Sequence, residues 1–392
     1  MAVDYAGPRR ARARARRVEA GAEAFARNFD WLLLGAVAAL VGYGLHLVAG
    51  ITRDDVLGSP DYYVVRQAIY AAVGAVGMVG VSLLDPDVFR RYWRQLYAVC
   101  LLLLLLVIPL GNEARGSQRW LGVGSFSFQP SELGKLLVIL AVGAFLAERA
   151  RRIGEIRTVL GAIGLTALPT VLVFAQPDIG TSLVYGAALA AMLFVAGTRW
   201  LHVTAMLTII AVAAGLVVWL LPSVGVDVLE PYQRDRLTAF VDRESDPQGA
   251  SYNVQQSILA VGAGGLRGRG VDNSTQTNLD YLPEHRTDFA FASLAEQRGF
   301  VGAAILLLLY LLVVWRGLRV VTYASDPFSA IVAAGIVFAL LFQVFVNVGM
   351  TMGIAPVTGI PLPFVSVGGS SLVTNLLAIG VLQAIHARGR RR

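Results

Sequence analysis

The chain has 392 residues, of which 56% are apolar and only 15% are charged. Soluble domains carry about 25% charged residues, so this balance indicates that lipid is the solvent, as for a polytopic integral membrane protein. The net charge of +7 does not indicate nucleic-acid binding, because the basic residues lie between apolar runs and at the two ends of the chain. Cys100, the one cysteine, lies in an apolar run, which excludes a disulfide framework and a thiolate metal site.

Hydrophobic segments long enough to form spanning helices recur along the chain. The first follows an arginine-rich lead and has no short apolar region with a small-residue cleavage site, so we interpret it as a retained helix rather than a signal peptide. A helix needs about 20 apolar residues to cross the hydrocarbon. The predicted fold is an all-α integral membrane bundle of about ten transmembrane helices, with a large extracellular loop between helices 7 and 8. The ten segments are 31–50, 63–84, 95–110, 131–147, 158–175, 180–197, 201–221, 288–315, 328–350 and 365–386.

The distribution of arginine predicts the orientation of this bundle. If the N-terminus lies inside, the cytoplasmic connections are rich in arginine, and the short connections on the other side hold only Arg53, Arg115 and Arg119. This is the positive-inside bias. We therefore predict a protein of the bacterial cytoplasmic membrane with both termini in the cytoplasm. The predicted parts are a basic tail over 1–30, one membrane domain over 31–386 and a basic tail over 387–392.

The connection 222–286 is far longer than the others and is predicted to lie outside. Long loops are largely exempt from the charge rule, so its arginines, including Arg234 and Arg236, do not contradict this orientation. Loops of more than about 15 residues are usually functional or disordered. The stretch SYNVQQSILAVGAG predicts a partly amphipathic helix that packs on the membrane surface or into the bundle. The plainer alternative is that the loop is only a lid.

Charged residues occur near the start of the fourth segment. Glu132 and Lys135 are three residues apart and therefore share one helical face. They could form an internal ion pair that fixes helix packing, or they could face a polar cavity that opens outward. Just upstream, Arg119 followed by Trp120 is typical of a membrane interface, where arginine can bind a phosphate.

Two further segments carry polar or helix-breaking residues near the predicted outer boundary. Asp178 follows Gln176 and Pro177 and could simply cap the next helix. The stretch 349–371, GMTMGIAPVTGIPLPFVSVGGSS, cannot form a continuous spanning helix. Non-helical backbone near membrane depth is tolerated only where it is buried in protein or lines a water-filled cavity. We therefore expect this stretch to form a wall of the cavity.

The densest group of ionisable residues is in LPEHRTDFAFASLAEQRG, residues 282–299. Glu284, His285, Arg286 and Asp288 come together where the long loop meets the eighth segment. Asp288 could be a capping carboxylate favoured by the helix dipole. Because an apolar run follows it at once, it could instead lie at the mouth of the cavity and act as a general base.

Taken together, these segments resemble the SEDS family (shape, elongation, division and sporulation), the peptidoglycan glycosyltransferases that include RodA and FtsW. The resemblance covers nearly the whole chain. The phrases QRWLGVG and PVTGIPLP are more similar to the elongation branch, RodA, than to the division branch. The resemblance rests on five blocks in a fixed order: GSQRWLGVGSFSFQPSELGK, QPDIGTSLVY, YNVQQSILAVGAGGLRGRG, LPEHRTDFAFASLAEQRGFVG and NVGMTMGIAPVTGIPLPFVSVGGSS.

The chain departs from the family's pattern at two places. The block usually written HTDF reads Arg286, Thr287, Asp288, Phe289, with the histidine displaced to His285. The closing block has Val367 where an aromatic residue is expected before the double glycine. Neither change removes a carboxylate.

The resemblance implies that the protein polymerises lipid II into glycan strands at the outer face of the cytoplasmic membrane during cell elongation. In this inverting transfer, undecaprenyl diphosphate leaves. Asp288 matches the family's essential aspartate and is the predicted catalytic base. The predicted substrate-binding residues are Arg119, Glu132, Lys135, Asp178, Arg234, Arg236, Glu284 and Ser370.

The resemblance also implies binding partners: lipid II, the undecaprenyl-linked glycan strand and a class B penicillin-binding protein whose transpeptidase crosslinks the strand. No metal-ligand cluster is evident, although a divalent cation (Mg²⁺ or Mn²⁺) could share the charge on the leaving diphosphate. The alternative function is a lipid II flippase or transporter, which would use the same polar cavity. A purely structural scaffold would explain the bundle but not Glu132 and Lys135 in an apolar segment.

Overall fold

The structure is a computed structural model that describes residues 29–53, 55–56, 58–114, 117–123, 126–216 and 250–389. Arg234 and Arg236 therefore lie outside the described residues, as do residues 222–249 of the long predicted loop. Most of the predicted N-terminal tail and the last three residues of the chain also lie outside them.

Each of the ten predicted hydrophobic segments falls on a helix. Three further helices lie in the connections between these segments. The helices are α1 Trp31–Ile51, α2 Tyr62–Ser82, α3 Pro86–Arg91, α4 Trp93–Leu110, α5 Pro130–Glu148, α6 Ile156–Phe174, α7 Ile179–Val195, α8 Trp200–Gly215, α9 Ala250–Gly264, α10 Thr275–Asn278, α11 Ala290–Tyr323, α12 Pro327–Thr351 and α13 Gly369–Gly389.

Eight of these helices are long and apolar enough to cross a membrane by length and composition, which confirms the prediction of an integral membrane protein. They are α1, α2, α4, α5, α6, α11, α12 and α13. The two remaining helices on predicted segments are shorter, with 17 residues in α7 and 16 in α8. The number of ten crossings therefore stays a prediction.

Capping residues explain where several of these helices begin. The carboxylates of Asp30, Asp178 and Asp326 each accept a hydrogen bond from a backbone N–H in the first turn of the helix that follows. Such caps satisfy amides that have no partner within the helix. Pro130 and Pro327 stand in the first turns of α5 and α12, where the missing N–H of proline is not needed.

The first and last helices are joined at one end of the bundle. The side-chain amide of Gln383 accepts from the Asp30 N–H at 3.0 Å and donates to the Asp30 carbonyl at 2.9 Å. Arg316 of α11 donates from Nε and from a terminal nitrogen to Asp30 Oδ2, at 2.9 and 2.7 Å. We call this the terminal end. The loop end is the opposite end, which carries the connections 111–129, 175–178, 265–289 and 352–368.

The connection between α4 and α5 forms a small antiparallel sheet at the loop end. Its strands are β1 Asn112–Ala114, β2 Ser117–Val123 and β3 Phe126–Phe128, in the order β1-β2-β3. Leu121 of β2 pairs with Phe128 of β3. The prediction of an all-α fold is confirmed for the bundle but missed this sheet, because two of its strands have only three residues and show no alternation that a hydrophobic pattern could reveal.

The long helix α11 is broken near its start. Gly299 has φ +65° and ψ −165°, outside the helical region. The segment after α9 enters the break: Phe300 N donates to Gly265 O at 2.8 Å, and Arg269 N donates to Glu296 O at 2.9 Å. The backbone groups freed by the break are thereby satisfied within the protein, as membrane depth requires.

The predicted helix over 251–264 is confirmed as α9, and it packs into the bundle. Val254 and Ala260 are buried in one apolar cluster with Phe289, Ala292 and Met350. This cluster joins the long loop to the beginnings of α11 and the end of α12. Apolar contacts with α11 and α12 therefore fix the position of α9.

The backbone conformation at Gly299 predicts that a side chain at this position destabilises the protein. A Cβ at Gly299 would lie 2.3 Å from Gly268 N, and this φ/ψ region is almost exclusive to glycine. We expect Gly299→Ala to lower the free energy of unfolding by about 1–3 kcal/mol or more. Gly80→Ala is the control, because a Cβ at Gly80 meets nothing within 4 Å. Thermal unfolding of the two purified variants in detergent measures the difference, and equal melting temperatures would contradict the account of the break.

Candidate active site

Asp288 lies in a turn that leads into α11. Residues 283–289 form this turn, and the Asp288 side chain is half-buried. The N-cap of α11 is Phe289 rather than Asp288. Asp288 therefore stands one residue before the N-cap position.

Three consecutive carbonyl groups of this turn are held by neighbouring elements. Donors come from the non-helical segment 352–368, which we call the wall segment, and from the end of α12. The bonds run from Val367 N to Arg286 O at 2.9 Å, from Ser366 Oγ to Thr287 O at 2.5 Å and from Asn347 Nδ2 to Asp288 O at 2.8 Å. Because each carbonyl has its own donor, the backbone that carries Asp288 is fixed in place on the bundle.

Asn347 connects the turn to the wall segment. Its side chain is completely buried, and the same Nδ2 also donates to Ile360 O at 2.8 Å. The wall segment is itself held by Gln67 of α2, whose Nε2 donates to Ser366 O at 3.0 Å. The prediction that 349–371 cannot continue as a helix is confirmed between Met352 and Gly368. Most of this segment from Val357 to Ser366 is buried against protein, whereas Met352 and Ile354 at its start are exposed.

Side chains before Asp288 make a second set of contacts. Thr287 Oγ1 donates to Glu284 Oε2 at 2.7 Å, and Glu284 has φ +57°. This left-handed residue turns the chain so that Thr287 N and Phe289 N both reach Glu284 O, at 3.1 and 3.2 Å. The predicted substrate-binding residue Glu284 thus shapes the turn that presents Asp288.

A second group of contacts at the loop end involves three predicted site residues: Arg119, Asp178 and Ser370. Arg119 donates from Nε to Gln176 O at 2.8 Å and from a terminal nitrogen to Pro177 O. The sheet is thereby attached to the turn between α6 and α7. Ser370 Oγ accepts from Gln129 N at 2.9 Å, which attaches the end of the sheet to the start of α13.

Asp178 is buried and surrounded by donors. Oδ1 accepts from Thr181 N at 3.1 Å, as expected of an N-cap. Oδ2 accepts from Thr181 Oγ1 at 2.9 Å, from Gln129 Nε2 at 3.1 Å and from Ser131 Oγ at 3.2 Å. Asp178 therefore caps α7 and ties it to the beginning of α5.

Glu132 and Lys135 form a buried ion pair in α5. Lys135 Nζ lies 2.8 Å from Glu132 Oε2, with side-chain exposures of 7% and 3%. Nζ also donates to Gln343 Oε1 of α12 at 2.9 Å. A cavity of about 30 Å³, lined in part by Gln343 and Thr374, lies beside Lys135 and has room for about one water molecule. The internal ion pair that joins two helices is what the structure shows, since Lys135 of α5 also binds Gln343 of α12. The outward-opening polar cavity stays a prediction, because the cavity beside Lys135 is lined mostly by apolar side chains.

The wall segment links the two contact groups. A Cβ at Gly180, in the first turn of α7, would lie 2.7 Å from both Thr358 O and Ile360 Cγ1. Since Asn347 binds the carbonyls of both Ile360 and Asp288, the Asp178 group and the Asp288 turn rest on the same piece of backbone. Among the described residues, Glu284 and Asp288 lie in the turn before α11, and Arg119, Asp178 and Ser370 lie in the second contact group. Glu132 and Lys135 form the separate ion pair of α5.

Sequence reasoning missed three buried polar residues of this region: Asn347, Glu296 and Asp55. Glu296 of α11 is completely buried and accepts from Gln276 N, Thr277 N and Thr277 Oγ1 at 2.8–3.0 Å. Its position inside a hydrophobic segment was a usable signal, because ionisable groups there need partners. Asp55 lies in a short connection between two helices and gave no comparable signal.

Comparison with known proteins places this fold and site in one family. The family model described as cell cycle protein FtsW/RodA/SpoVE matches residues 29–391. The chain is 41% identical over 359 residues to the peptidoglycan glycosyltransferase MrdB of Escherichia coli K12, which covers 92% of this chain and 94% of that protein. It is 32% identical to the peptidoglycan glycosyltransferase RodA of Treponema pallidum, with 92% and 98% covered.

Two solved structures are similar over nearly the whole chain. One is a chain from a study of the structural coordination of polymerization and crosslinking by a peptidoglycan synthase complex, with TM-score 0.78, 30% identity and coverage of 93% and 99%. The other is the rod shape determining protein RodA of Thermus thermophilus, with TM-score 0.67, 29% identity and coverage of 93% and 98%.

The fold and the site define a polytopic helical membrane protein that presents a carboxylate from a braced turn at one end of its bundle. The chain belongs to the FtsW/RodA/SpoVE family. The predicted resemblance is thereby confirmed.

The ion pair of α5 makes a prediction about stability. Removing one partner of a buried pair leaves an uncompensated charge and typically costs about 3–5 kcal/mol. We therefore expect Lys135→Met to lower the melting temperature in detergent sharply. The double variant Glu132→Gln/Lys135→Met removes both charges and is expected to recover most of that loss. A double variant as unstable as Lys135→Met would contradict the role of the pair in helix packing.

Proposed function

We propose that this protein is a peptidoglycan glycosyltransferase of the elongation type, which polymerises lipid II into glycan strands at the outer face of the bacterial cytoplasmic membrane. The observation that carries the proposal is the half-buried Asp288 on a turn whose backbone carbonyls are held by Val367, Ser366 and Asn347. Membership of the family and the activity of the named relatives support the reaction class.

In the proposed step, the 4-hydroxyl of a GlcNAc on one lipid-linked sugar attacks the anomeric carbon of the MurNAc at the end of another chain. A glycosidic C–O bond forms, and the bond between that carbon and the diphosphate oxygen breaks with inversion. Asp288 accepts the hydroxyl proton and later passes it to solvent. Undecaprenyl diphosphate leaves with the bonding electrons. A fixed turn suits this role, because a general base acts only from within hydrogen-bond reach of the proton that it takes.

Positive charge is needed where the diphosphate departs. Lys135 is held by Glu132 and Gln343, so we assign it to helix packing and to the cavity rather than to direct phosphate contact. Arg119 is half-buried at the sheet. It stays a candidate for the diphosphate, together with Arg234 and Arg236 from the long loop. Glu132, Asp178 and Ser370 would hold the elements that line the substrate path.

The helix α11 supports the location of the reaction at a membrane boundary. From Phe300 to Tyr323 it is about 36 Å long at 1.5 Å per residue, enough to cross a hydrocarbon layer of about 30 Å. The Asp288 turn precedes this part of the helix. Together with the arginine distribution, this favours the cytoplasmic membrane, both termini in the cytoplasm and Asp288 at the outer boundary.

The proposed protein partner is a class B penicillin-binding protein that crosslinks the new strand. The similar chain from a complex that couples polymerisation with crosslinking supports this partner. A divalent cation on the diphosphate is a further part of the proposal. Within the described ranges no group of three or more His, Cys, Asp or Glu side chains could hold a metal. Synthesis after chelation, with Mg²⁺ or Mn²⁺ added back, tests this part.

The test of the function is glycan-strand synthesis from purified lipid II, with the class B partner and a divalent cation supplied. We expect polymer from the wild type and at least a thousandfold less from Asp288→Asn, since that variant cannot accept the proton. The amide preserves the shape of the side chain, so folding should be retained. Asp61→Asn is the matched control, because Asp61 is an exposed carboxylate at the loop end that makes no capping bond.

Other outcomes would redirect the assignment. Polymer from Asp288→Asn at the wild-type rate would contradict its role as the base. No polymer from the wild type, together with protein-dependent movement of lipid II across vesicle membranes, would favour the flippase.

A further inference from the structure

Asp55, in the connection between α1 and α2, binds Arg286 of the Asp288 turn and lies beside the preceding residue, His285. Its Oδ1 lies 3.3 Å from His285 Nε2, and its Oδ2 accepts from a terminal nitrogen of Arg286. The Asp55 side chain is only 9% exposed. Since buried carboxylates need partners to offset their desolvation, this is a specific contact rather than a loose surface pair.

Arg286 is also held from a second side. Its guanidinium carbon lies 4.6 Å from the centre of the Tyr63 ring, in the first turn of α2. The ring and the Asp55 carboxylate therefore fix the guanidinium between them. His285 is buried as well, and its Nδ1 lies 3.9 Å from Asp280 Oδ1.

The backbone and side-chain contacts brace the turn from different elements. The wall segment and Asn347 hold the carbonyls of residues 286–288, whereas Asp55 and Tyr63 hold the side chains of residues 285 and 286. Arg286 occupies the place where the family's motif has histidine. The turn therefore has a permanent positive charge two residues from Asp288, and Asp55 neutralises it.

We propose that Asp55 is a positioning residue for the glycosyl transfer, which holds the Asp288 turn in its reactive geometry through its ion pair with Arg286. This inference rests on the proposed function. Without the Asp55 carboxylate, Arg286 loses its ion-pair partner, and the turn loses its contact with the connection between α1 and α2. Arginine forms strong, directional pairs with carboxylates, so loss of this pair loosens the backbone that presents Asp288. The effect therefore falls on the chemical step rather than on lipid II binding.

The experiment compares the steady-state kinetics of lipid II polymerisation by the wild type and by Asp55→Asn. Both are measured in detergent with the class B partner present. We expect kcat to fall about tenfold to a hundredfold for Asp55→Asn, the range given by loss of one charged hydrogen-bonded contact, while KM for lipid II stays within about twofold. Asp55→Glu retains the charge and is expected to keep more of the activity than Asp55→Asn.

Asp272→Asn is the matched control. Asp272 pairs with Arg53 of the same connection at 3.3 Å, but its side chain is 86% exposed, so this pair contributes little. We expect wild-type kcat and KM from Asp272→Asn. Equal effects of Asp55→Asn and Asp272→Asn, or a rise in KM with unchanged kcat, would overturn the proposal.

A double variant guards against a folding defect. In Asp55→Asn/Arg286→Gln, both charges of the Asp55–Arg286 ion pair are removed. The turn still lacks the contact that this pair provides. The Arg286→Gln single variant is measured beside it. We expect the kcat of the double variant to be no lower than that of the poorer single variant, because both changes remove the same interaction. Fully additive losses would contradict the pairing. Inactive wild type would contradict the proposed function itself, whereas active wild type with unaffected Asp55→Asn would contradict only the positioning role.

Discussion

The buried amide of Asn347 connects the parts of the structure on which the site depends. One nitrogen binds the backbone of Asp288 and the backbone of the wall segment, and the wall segment in turn packs on the start of α7. Without this donor, the carbonyls of Asp288 and Ile360 would each lose a hydrogen bond. Each loss would lower the free energy of unfolding by about 1–3 kcal/mol. The position of the proposed base is therefore set by the packing of α12 and the wall segment, and not only by the turn that contains it.

A membrane environment makes such internal pairing a general requirement. Irregular backbone near lipid is stable only where protein groups satisfy its hydrogen bonds. The chain meets this requirement where α11 breaks at Gly299 and in the wall segment. The segment after α9 supplies the partners at the break, and the side chains of Asn347 in α12 and Gln67 in α2 supply partners for the wall segment. The irregular backbone at the loop end thereby forms a connected structure, which can hold a carboxylate at a boundary between protein, lipid and water.

Much of this architecture could be predicted from the sequence because it follows from hydropathy and local chemistry. Each of the ten segments predicted from apolar length falls on a helix, and the prolines and glycines of 349–371 indicated the interruption before α13. The ion pair of Glu132 and Lys135 followed from their spacing. The caps at Asp30 and Asp326 follow equally local rules.

The remaining features depend on contacts that local patterns do not encode. Asp55 and Arg286 are 231 residues apart, and Asn347 and Asp288 are 59 residues apart. For a polar residue in a short connection or near a helix end, the local sequence does not indicate which distant residue it binds. The sheet over 112–128 was missed because its strands are too short to show a period. The site residues could thus be predicted from the sequence motifs that contain them. The hydrogen bonds that hold the Asp288 turn could be identified only from the structure.

The most direct test of this account is the kcat for lipid II polymerisation by Asn347→Leu, compared with Asn375→Leu at a temperature where both variants are folded. Leucine keeps the approximate size of asparagine and removes the donors. Asn375 is also buried, but its amide binds only Ser371 within its own helix. The account predicts a fall of about tenfold or more for Asn347→Leu and near-wild-type activity for Asn375→Leu. Full activity in folded Asn347→Leu would contradict the claim that this amide sets the position of the catalytic carboxylate.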